Sequence, residues 1–289
     1  MTRRILVLGA TGKTGTRVVA HLTARGAGVV AAVRRPDALV SSTGADLVHF
    51  DWDEPGGHAK ALAGIDAVYL VPPSCVEDAS ASIAVFLREA ASAGVRRVVL
   101  LSSLGVTFAD EPFASGRRKH EEAVRESPLA WTILRPSGFF QNFSEGMAQQ
   151  GIRNDGVIVS ATGDGAVALV DASDIAAVAA EALTQSGHER ATYALTGPAA
   201  VTFAEAARAI GQACGREIVH MLAPPDTLER FLREAGIPDG YRAMLLRDMA
   251  AIREGRAAQV SQHIERVTGR EPIAIETFVR NAADAWRRS

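Results

Sequence analysis

Cysteine is nearly absent. Its two copies, Cys75 and Cys214, stand far apart with no CxxC spacing. That rules out a disulfide framework or a thiolate metal site and leaves two unpaired, half-buried thiols, as suits a reducing compartment. The seven histidines are scattered, and none forms a ligand pair at helical spacing, so no metal is expected. No apolar run is long enough to span a bilayer. Thr2-Arg3-Arg4 leads directly into a strand pattern, which leaves no room for a signal peptide. The expectation is a cytoplasmic protein, monomeric or homodimeric, without membrane contact. An excess of charge of either sign is also lacking: 31 basic against 33 acidic residues give a formal net charge of −2. Without a basic field, nucleic acid is not an expected partner. The densest basic run, Arg117-Arg118-Lys119-His120, is followed at once by Glu121-Glu122, as on a solvated helix turn.

What is present is a chain of 289 residues with 47% hydrophobic content, long for one compact domain and short for two large ones. Short apolar runs at Ile5–Leu8, Val29–Val33, Leu47–Phe50, Ala67–Val71, Val98–Leu101 and Trp131–Leu134 read as strands buried on both faces. Helical patterns lie between most of them, the clearest from Val76 to Ala93. This βαβα alternation predicts an α/β fold: a Rossmann-type doubly wound parallel sheet with a smaller C-terminal α/β substrate region. The dinucleotide-binding domain is placed at residues 1–136, its sheet completed from 151–195. Residues 137–289 form mainly the substrate region and the C-terminal helices. In that second part Phe139–Gln150 reads as one helix, Asp174 as a helix cap, and Thr202 with Glu205 as a capping box. Helices at Pro225–Ala235 and Gly240–Gly255 carry Met and Leu side chains suited either to covering an apolar ligand or to packing as a helical pair.

Gly9-Ala10-Thr11-Gly12-Lys13-Thr14-Gly15 sits between the first strand and the first helix. In that position Gly9 permits the turn, Gly12 lets backbone approach a pyrophosphate, and Gly15 allows close helix–strand packing. The glycine spacing does not match a nucleotide-triphosphatase P-loop. An NAD-specific unit carries Asp or Glu about 20 residues further on, for the ribose 2′-hydroxyl. Here Arg34 and Arg35 stand there instead. A guanidinium pairs with a 2′-phosphate that a carboxylate would repel, so NADP(H) is the expected cofactor, with Lys13 assisting. Asp51 and Trp52 after the third strand, and Val71, Pro72 and Pro73 after the fourth, are expected to shape the rest of the cofactor groove, with Ser102 and Pro136 at the later strand ends.

The segments GATGKTG, VVAAVRRPD, VYLVPP, VVLLSSLG and WTILRPSGFFQNF resemble the NmrA-like branch of the atypical short-chain dehydrogenases over most of residues 4–185. The resemblance implies the fold and NADP binding. It leaves several roles open: reductases of quinones, azo compounds, enones or iminium species, or redox sensors without turnover. The better-known short-chain dehydrogenases place a serine after the fifth strand and Tyr-x-x-x-Lys on the next helix. Ser102 and Ser103 fill the first slot and Lys119 the lysine slot, but Ser115 stands where the tyrosine would. The only tyrosines are Tyr69, Tyr193 and Tyr241. A serine hydroxyl is too weak an acid to protonate an alkoxide, which disfavours simple ketone reduction. Hydride transfer to a quinone, enone or polyketide-like aromatic intermediate asks for placement rather than acid. The expected catalytic set is Ser103, Lys119 (also a ribose ligand) and His120. Phe139, Phe140, Asn142 and Tyr241 are expected to meet a hydrophobic acceptor. The alternative is a non-catalytic NADP-binding sensor of the NmrA type.

Overall fold

In the computed structural model, residues 3–35 and 44–287 are described. Seven strands make one sheet in the order β3-β2-β1-β4-β5-β6-β9. They are β1 (Arg4–Val7), β2 (Gly28–Val33), β3 (Asp46–His49), β4 (Ala67–Leu70), β5 (Arg97–Leu101), β6 (Ala130–Pro136) and β9 (Ala191–Leu195). The first six pair in parallel. Ile5, Leu6 and Val7 are fully buried, the reason β1 reads as an unbroken apolar run and not as an alternation. Order reverses beside β1, where β2 lies on one side and β4 on the other. In such sheets this reversal, at the carboxyl ends of the strands, is where ligands bind.

Helices α1 (Gly15–Ala24), α2 (His58–Leu62), α3 (Ser80–Ser92) and α4 (Gly116–Glu126) follow β1, β3, β4 and β5. Val18, Val19 and Leu22 bury one face of α1, and Gly26 ends it at φ +71°. Helix α3 begins at Ser80 rather than near Val76, because the chain from Pro72 to Asp78 is irregular. The chain divides into two compact units. The first comprises Met1–Val106, Pro112–Arg135 and Ile175–Tyr193; the second comprises Thr107–Glu111, Pro136–Asp174 and Ala194–Ser289. In the first, Arg3 and Arg97 donate to the carbonyls of residues 182–185 at the C-terminal end of α7 (Ala172–Thr184). Cations suit that end of a helix, where carbonyls are left unpaired.

The second unit holds α5 (Gln141–Ser144), α6 (Met147–Asp155), β7 (Val157–Ser160), β8 (Ala166–Val167), β10 (Val201–Thr202), α8 (Phe203–Cys214) and β11 (Val219–Leu222). After these come α9 (Pro225–Glu234), α10 (Asp239–Arg253), α11 (His263–Thr268) and α12 (Ile275–Asn281). The single helix expected over Phe139–Gln150 is two, because Gly146 at φ +92° breaks it. The capping box forms: the Glu205 amide donates to Thr202 Oγ1 at 3.1 Å, and the Thr202 amide to Glu205 Oε2 at 2.7 Å. Leu228 and Leu232 of α9 pack with Leu245, Leu246 and Met249 of α10, so these apolar side chains bind the helical pair together. Among the described residues no helix is long and apolar enough to cross a membrane, and both cysteines are free thiols.

Asp174 departs from its expected role as a cap. It lies inside the first turn of α7, fully buried, and its Oδ2 accepts the Ile273 amide at 2.7 Å. Burial, reinforced by the charge of Asp171, pushes its carboxyl up to about 6 against the opposing pull of the Ile273 amide and Arg270. A carboxyl raised on folding favours the folded state at low pH, and that contribution is lost as pH rises through about 6. The shift corresponds to about 3 kcal/mol at most. Asp174→Asn keeps an acceptor for Ile273 and removes the charge. Thermal melts should therefore show the variant more stable than the parent at pH 8, by a smaller margin at pH 4.5, and level with it only near pH 3. A constant offset across that range would contradict this account.

Candidate active site

The loop after β1 is built around one carbonyl oxygen. Gly9 takes φ +63°, and the Gly12 amide donates to the Gly9 carbonyl at 2.9 Å. A Cβ on Gly15 would lie 2.0 Å from that same oxygen. No side chain is tolerated at such a distance, so the third glycine sets how closely α1 approaches the loop. A Cβ on Gly9 would meet Val71 at 3.3 Å, which places Val71 against the loop. Thr16 closes the turn through its amide and hydroxyl on the Gly12 carbonyl at 3.1 and 2.9 Å. The amides of Thr11, Thr14 and Gly15 make no hydrogen bond to other described residues. A helix start with uncommitted N–H groups and no side chains in the way fits a pyrophosphate. Thr14 is buried, and the fully buried Tyr69 hydroxyl lies beside it.

Arg34 and Arg35 follow β2 with exposed side chains, and among the described residues neither has an ion-pair partner. Pro36 and Asp37, the end of the VVAAVRRPD segment, lie outside the described residues. The Arg34 carbonyl is held by His49, whose Nδ1 lies 2.9 Å away and whose Nε2 is 3.1 Å from Glu54 Oε2. Neither His49 nor Glu54 was among the expected site residues, because their meeting depends on β3 lying beside β2 and no local spacing announces it. Asp51 Oδ1 accepts the Asp53 amide at 3.1 Å. The half-buried Trp52 ring meets Phe50 and Phe86 at centroid distances of 5.3 and 5.5 Å. Pro72 and Pro73 are half-buried after β4.

Helix α4 carries the residues expected to be catalytic, and their surroundings sort them. Ser115 is the helix N-cap and accepts the Arg118 amide at 3.4 Å. A Cβ on Gly116 would sit 1.6 Å from the Glu77 carbonyl oxygen. Lys119 Nζ lies 2.6 Å from Asp78 Oδ2. Asp78 sits at about 2: partial burial opposes its ionisation, but bonds from Lys119 and Ser80 outweigh that. The same pair raises Lys119, which stays a cation.

His120 does not fit the role of proton donor. It is buried, its Nε2 accepts the Ala79 amide at 2.9 Å, and burial drives it down to about 4 despite Asp78. The ring is neutral, with its one proton on the other nitrogen.

Ser102 Oγ donates to Glu121 Oε1 at 2.7 Å, and the buried Glu121 also takes both Arg135 at 2.8 and 2.6 Å and Arg125 at 2.7 Å. That hydroxyl therefore belongs to a buried ion network. Ser103 Oγ instead accepts from the Gly105 amide at 3.2 Å and from Arg117 at 3.3 Å. Of the other tyrosines, Tyr193 bonds His188 at 2.9 Å and Tyr241 is half-buried in α10.

In the second unit, Phe140 is a core residue, 1% exposed and stacked on Phe278 at 5.0 Å. It cannot form a ligand wall without unpacking that core. Pro136 is buried, Phe139 is half-buried and bridges Val170, and Asn142 is exposed.

A family model described as NAD(P)H-binding matches residues 9–186. The chain belongs to the NAD(P)H-binding family. Relatives similar to this chain include proteins named as an oxidoreductase and as a reductase. An uncharacterized oxidoreductase, YesF of Bacillus subtilis, is 35% identical over 98% of this chain and 96% of its own length. The (4-alkanoyl-5-oxo-2,5-dihydrofuran-3-yl)methyl phosphate reductase of Streptomyces griseus is 37% identical over 98% of this chain and 99% of its own. Among solved structures, the Citrobacter sp. triphenylmethane reductase complexed with NADP(H) superposes with TM-score 0.77 at 25% identity, covering 97% of this chain and 99% of that one.

Gly15→Ala tests the loop. The new methyl must displace the Gly9 carbonyl, at a cost of about 1–3 kcal/mol in stability. Cofactor affinity measured by calorimetry should fall roughly tenfold or more, as when two or three amide bonds to phosphate are lost. Gly12→Ala, whose Cβ would lie 3.2 Å from the same oxygen, should be milder. Equal effects would argue against this geometry.

Proposed function

We propose that this protein is an NADPH-dependent reductase that delivers hydride to a conjugated, hydrophobic small molecule. The observation that carries this reading is the pairing of a complete dinucleotide loop with an α4 that offers no strong acid: Ser115 is a cap and His120 is a buried neutral acceptor. When bound, NADPH supplies the hydride. An enone or quinone accepts it at carbon as an enolate or phenolate, and water supplies the proton, so a side-chain acid is dispensable. A ketone, which would leave an alkoxide, is disfavoured.

The residues divide the remaining work. Thr11, Thr14 and Gly15 offer their amides to the pyrophosphate, with Lys13 beside them and Gly12 leaving room for the approach, and Arg34 with Arg35 holds the 2′-phosphate. Asp51, Trp52, Val71, Pro72 and Pro73 line the adenosine side. Lys119, kept charged and aimed by Asp78, bonds a ribose hydroxyl. Ser103, with Arg117 on its oxygen, offers the acceptor a hydrogen bond. Within the second unit, Phe139, Asn142 and Tyr241 are the side chains proposed to meet a hydrophobic ligand. The name of the Streptomyces griseus relative describes an acyl-substituted unsaturated lactone that carries a phosphate; its conjugated carbonyl supports trying enones first.

Two measurements test the reading. NADPH oxidation followed with enones, quinones and simple ketones should show turnover with the first two classes and little with the third. Tight NADPH binding with no turnover on any acceptor would favour a cofactor sensor. In binding assays Arg34→Glu should weaken NADPH roughly tenfold or more, as expected for lost charge-assisted bonds, and leave NADH nearly unchanged. Equal loss for both cofactors would remove Arg34 from the 2′-phosphate site.

A further inference from the structure

The preference for NADPH rests on the end of β2, and the side chain that fixes that end comes from β3. His49 is 41% exposed and bridges two acceptors: the Arg34 carbonyl at Nδ1, 2.9 Å, and the Glu54 carboxylate at Nε2, 3.1 Å. A carbonyl and an ionised carboxylate both lack a proton to give. A neutral imidazole has one N–H and would turn a lone pair toward one of them; the imidazolium satisfies both. The charged groups around it are Glu54 and, through space, Asp51 on its own side, with Arg34 and Arg35 following β2. The bonds to Glu54 and the Arg34 carbonyl raise its affinity for a proton, partial desolvation opposes them, and the charges of Glu54 and Asp51 add to the rise.

We propose that His49 is a pH-dependent member of the 2′-phosphate subsite. It pins the backbone that carries Arg34 and, when protonated, adds positive charge beside the two guanidiniums. The inference rests on the NADPH reading above and goes beyond it by making cofactor choice vary with pH. With His49 protonated, the dianionic 2′-phosphate gains over a 2′-hydroxyl; as pH rises through its titration the advantage shrinks. A single partly exposed charge changes affinity by about two- to fivefold. The phosphate titrates near pH 6, so its own effect must be separated from that of His49.

Calorimetric affinities for NADP⁺ and NAD⁺ at low ionic strength, from pH 6.5 to 8.5, make the test. We compare the parent, His49→Gln, His49→Lys and Glu54→Gln. The parent's NADP⁺/NAD⁺ affinity ratio should fall about two- to fivefold across the range. His49→Gln should be low and flatter, keeping only the phosphate's own titration, and His49→Lys should be high and equally flat. Glu54→Gln should shift the parent's fall to lower pH. Nitrogen-resolved NMR of the parent imidazole, which needs neither a variant nor a cofactor, should show both ring nitrogens protonated at pH 6.5 and a titration above the usual histidine value. A parent that prefers NADP⁺ with the same ratio and slope in His49→Gln would overturn this inference alone. A parent that binds NAD⁺ as tightly as NADP⁺ would overturn the NADPH reading and this inference with it. A ring that titrates below 6.5 would overturn the charge assignment directly.

Discussion

The cofactor site depends on one close approach of backbone to backbone. Gly9 turns the chain through a left-handed conformation, its carbonyl receives the Gly12 amide, and α1 starts so near that any Cβ at Gly15 would collide with it. Because that oxygen is already bonded and sterically enclosed, the loop has little room to rearrange. The amides of Thr14 and Gly15, unpaired among the described residues, are thus held in place, and in the proposed cofactor site their ordering would not have to be supplied by the ligand. Strand β1 makes this possible by being buried on both faces beside β2 and β4. The loop consequently emerges where the strand order reverses.

A second constraint explains why α4 looks catalytic in sequence and reads differently in three dimensions. Three consecutive residues of the irregular segment after β4 are each held by this helix. The Glu77 carbonyl lies against Gly116, the Asp78 carboxylate pairs with Lys119, and the Ala79 amide donates to His120. Below them the buried Glu121 gathers Ser102, Arg125 and Arg135. Removing one partner from such a buried ion network would strand charge at a cost of about 3–5 kcal/mol. The helix is therefore a clamp on the 77–79 segment, while Arg117 of the same helix donates to Ser103 Oγ.

The fold was legible because its signals are local. Buried parallel strands give uninterrupted apolar runs, and the glycine loop falls between strand and helix in the order the mechanism needs. The absence of tyrosine at residue 115 was equally readable. What could not be read is partnership across the sheet and across loops. Nothing near Asp174 in the sequence indicates Ile273, and nothing near His120 indicates Ala79. The histidine's burial, which decides between donor and packing residue, follows from α4 meeting a segment 41 positions earlier. Phe139 and Phe140 are neighbours in sequence with different fates, and only the stacking of Phe140 on Phe278 separates them. His49 escaped notice for the same reason: its role exists only once β3 lies beside β2.

The charges are divided in a way that bears on how this chain can vary. Half-buried guanidiniums such as Arg135 and Arg97 are matched by carboxylates or helix-end carbonyls, since an unmatched charge removed from water is costly. Arg34 and Arg35 are exposed, where water tolerates an unmatched cation at little cost. An anion-binding site assembled from solvated groups contributes little to folding, so residues there can change without endangering the core. By contrast, Gly15 and Gly116 can admit no side chain without moving backbone. The close-packed glycine loop is tied to the stability of the first unit, whereas the groups proposed to choose between the phosphorylated and unphosphorylated cofactor, Arg34, Arg35 and His49, lie at its surface. On the proposed assignment, selectivity shifts under substitution or pH while the fold and the glycine loop stay as they are.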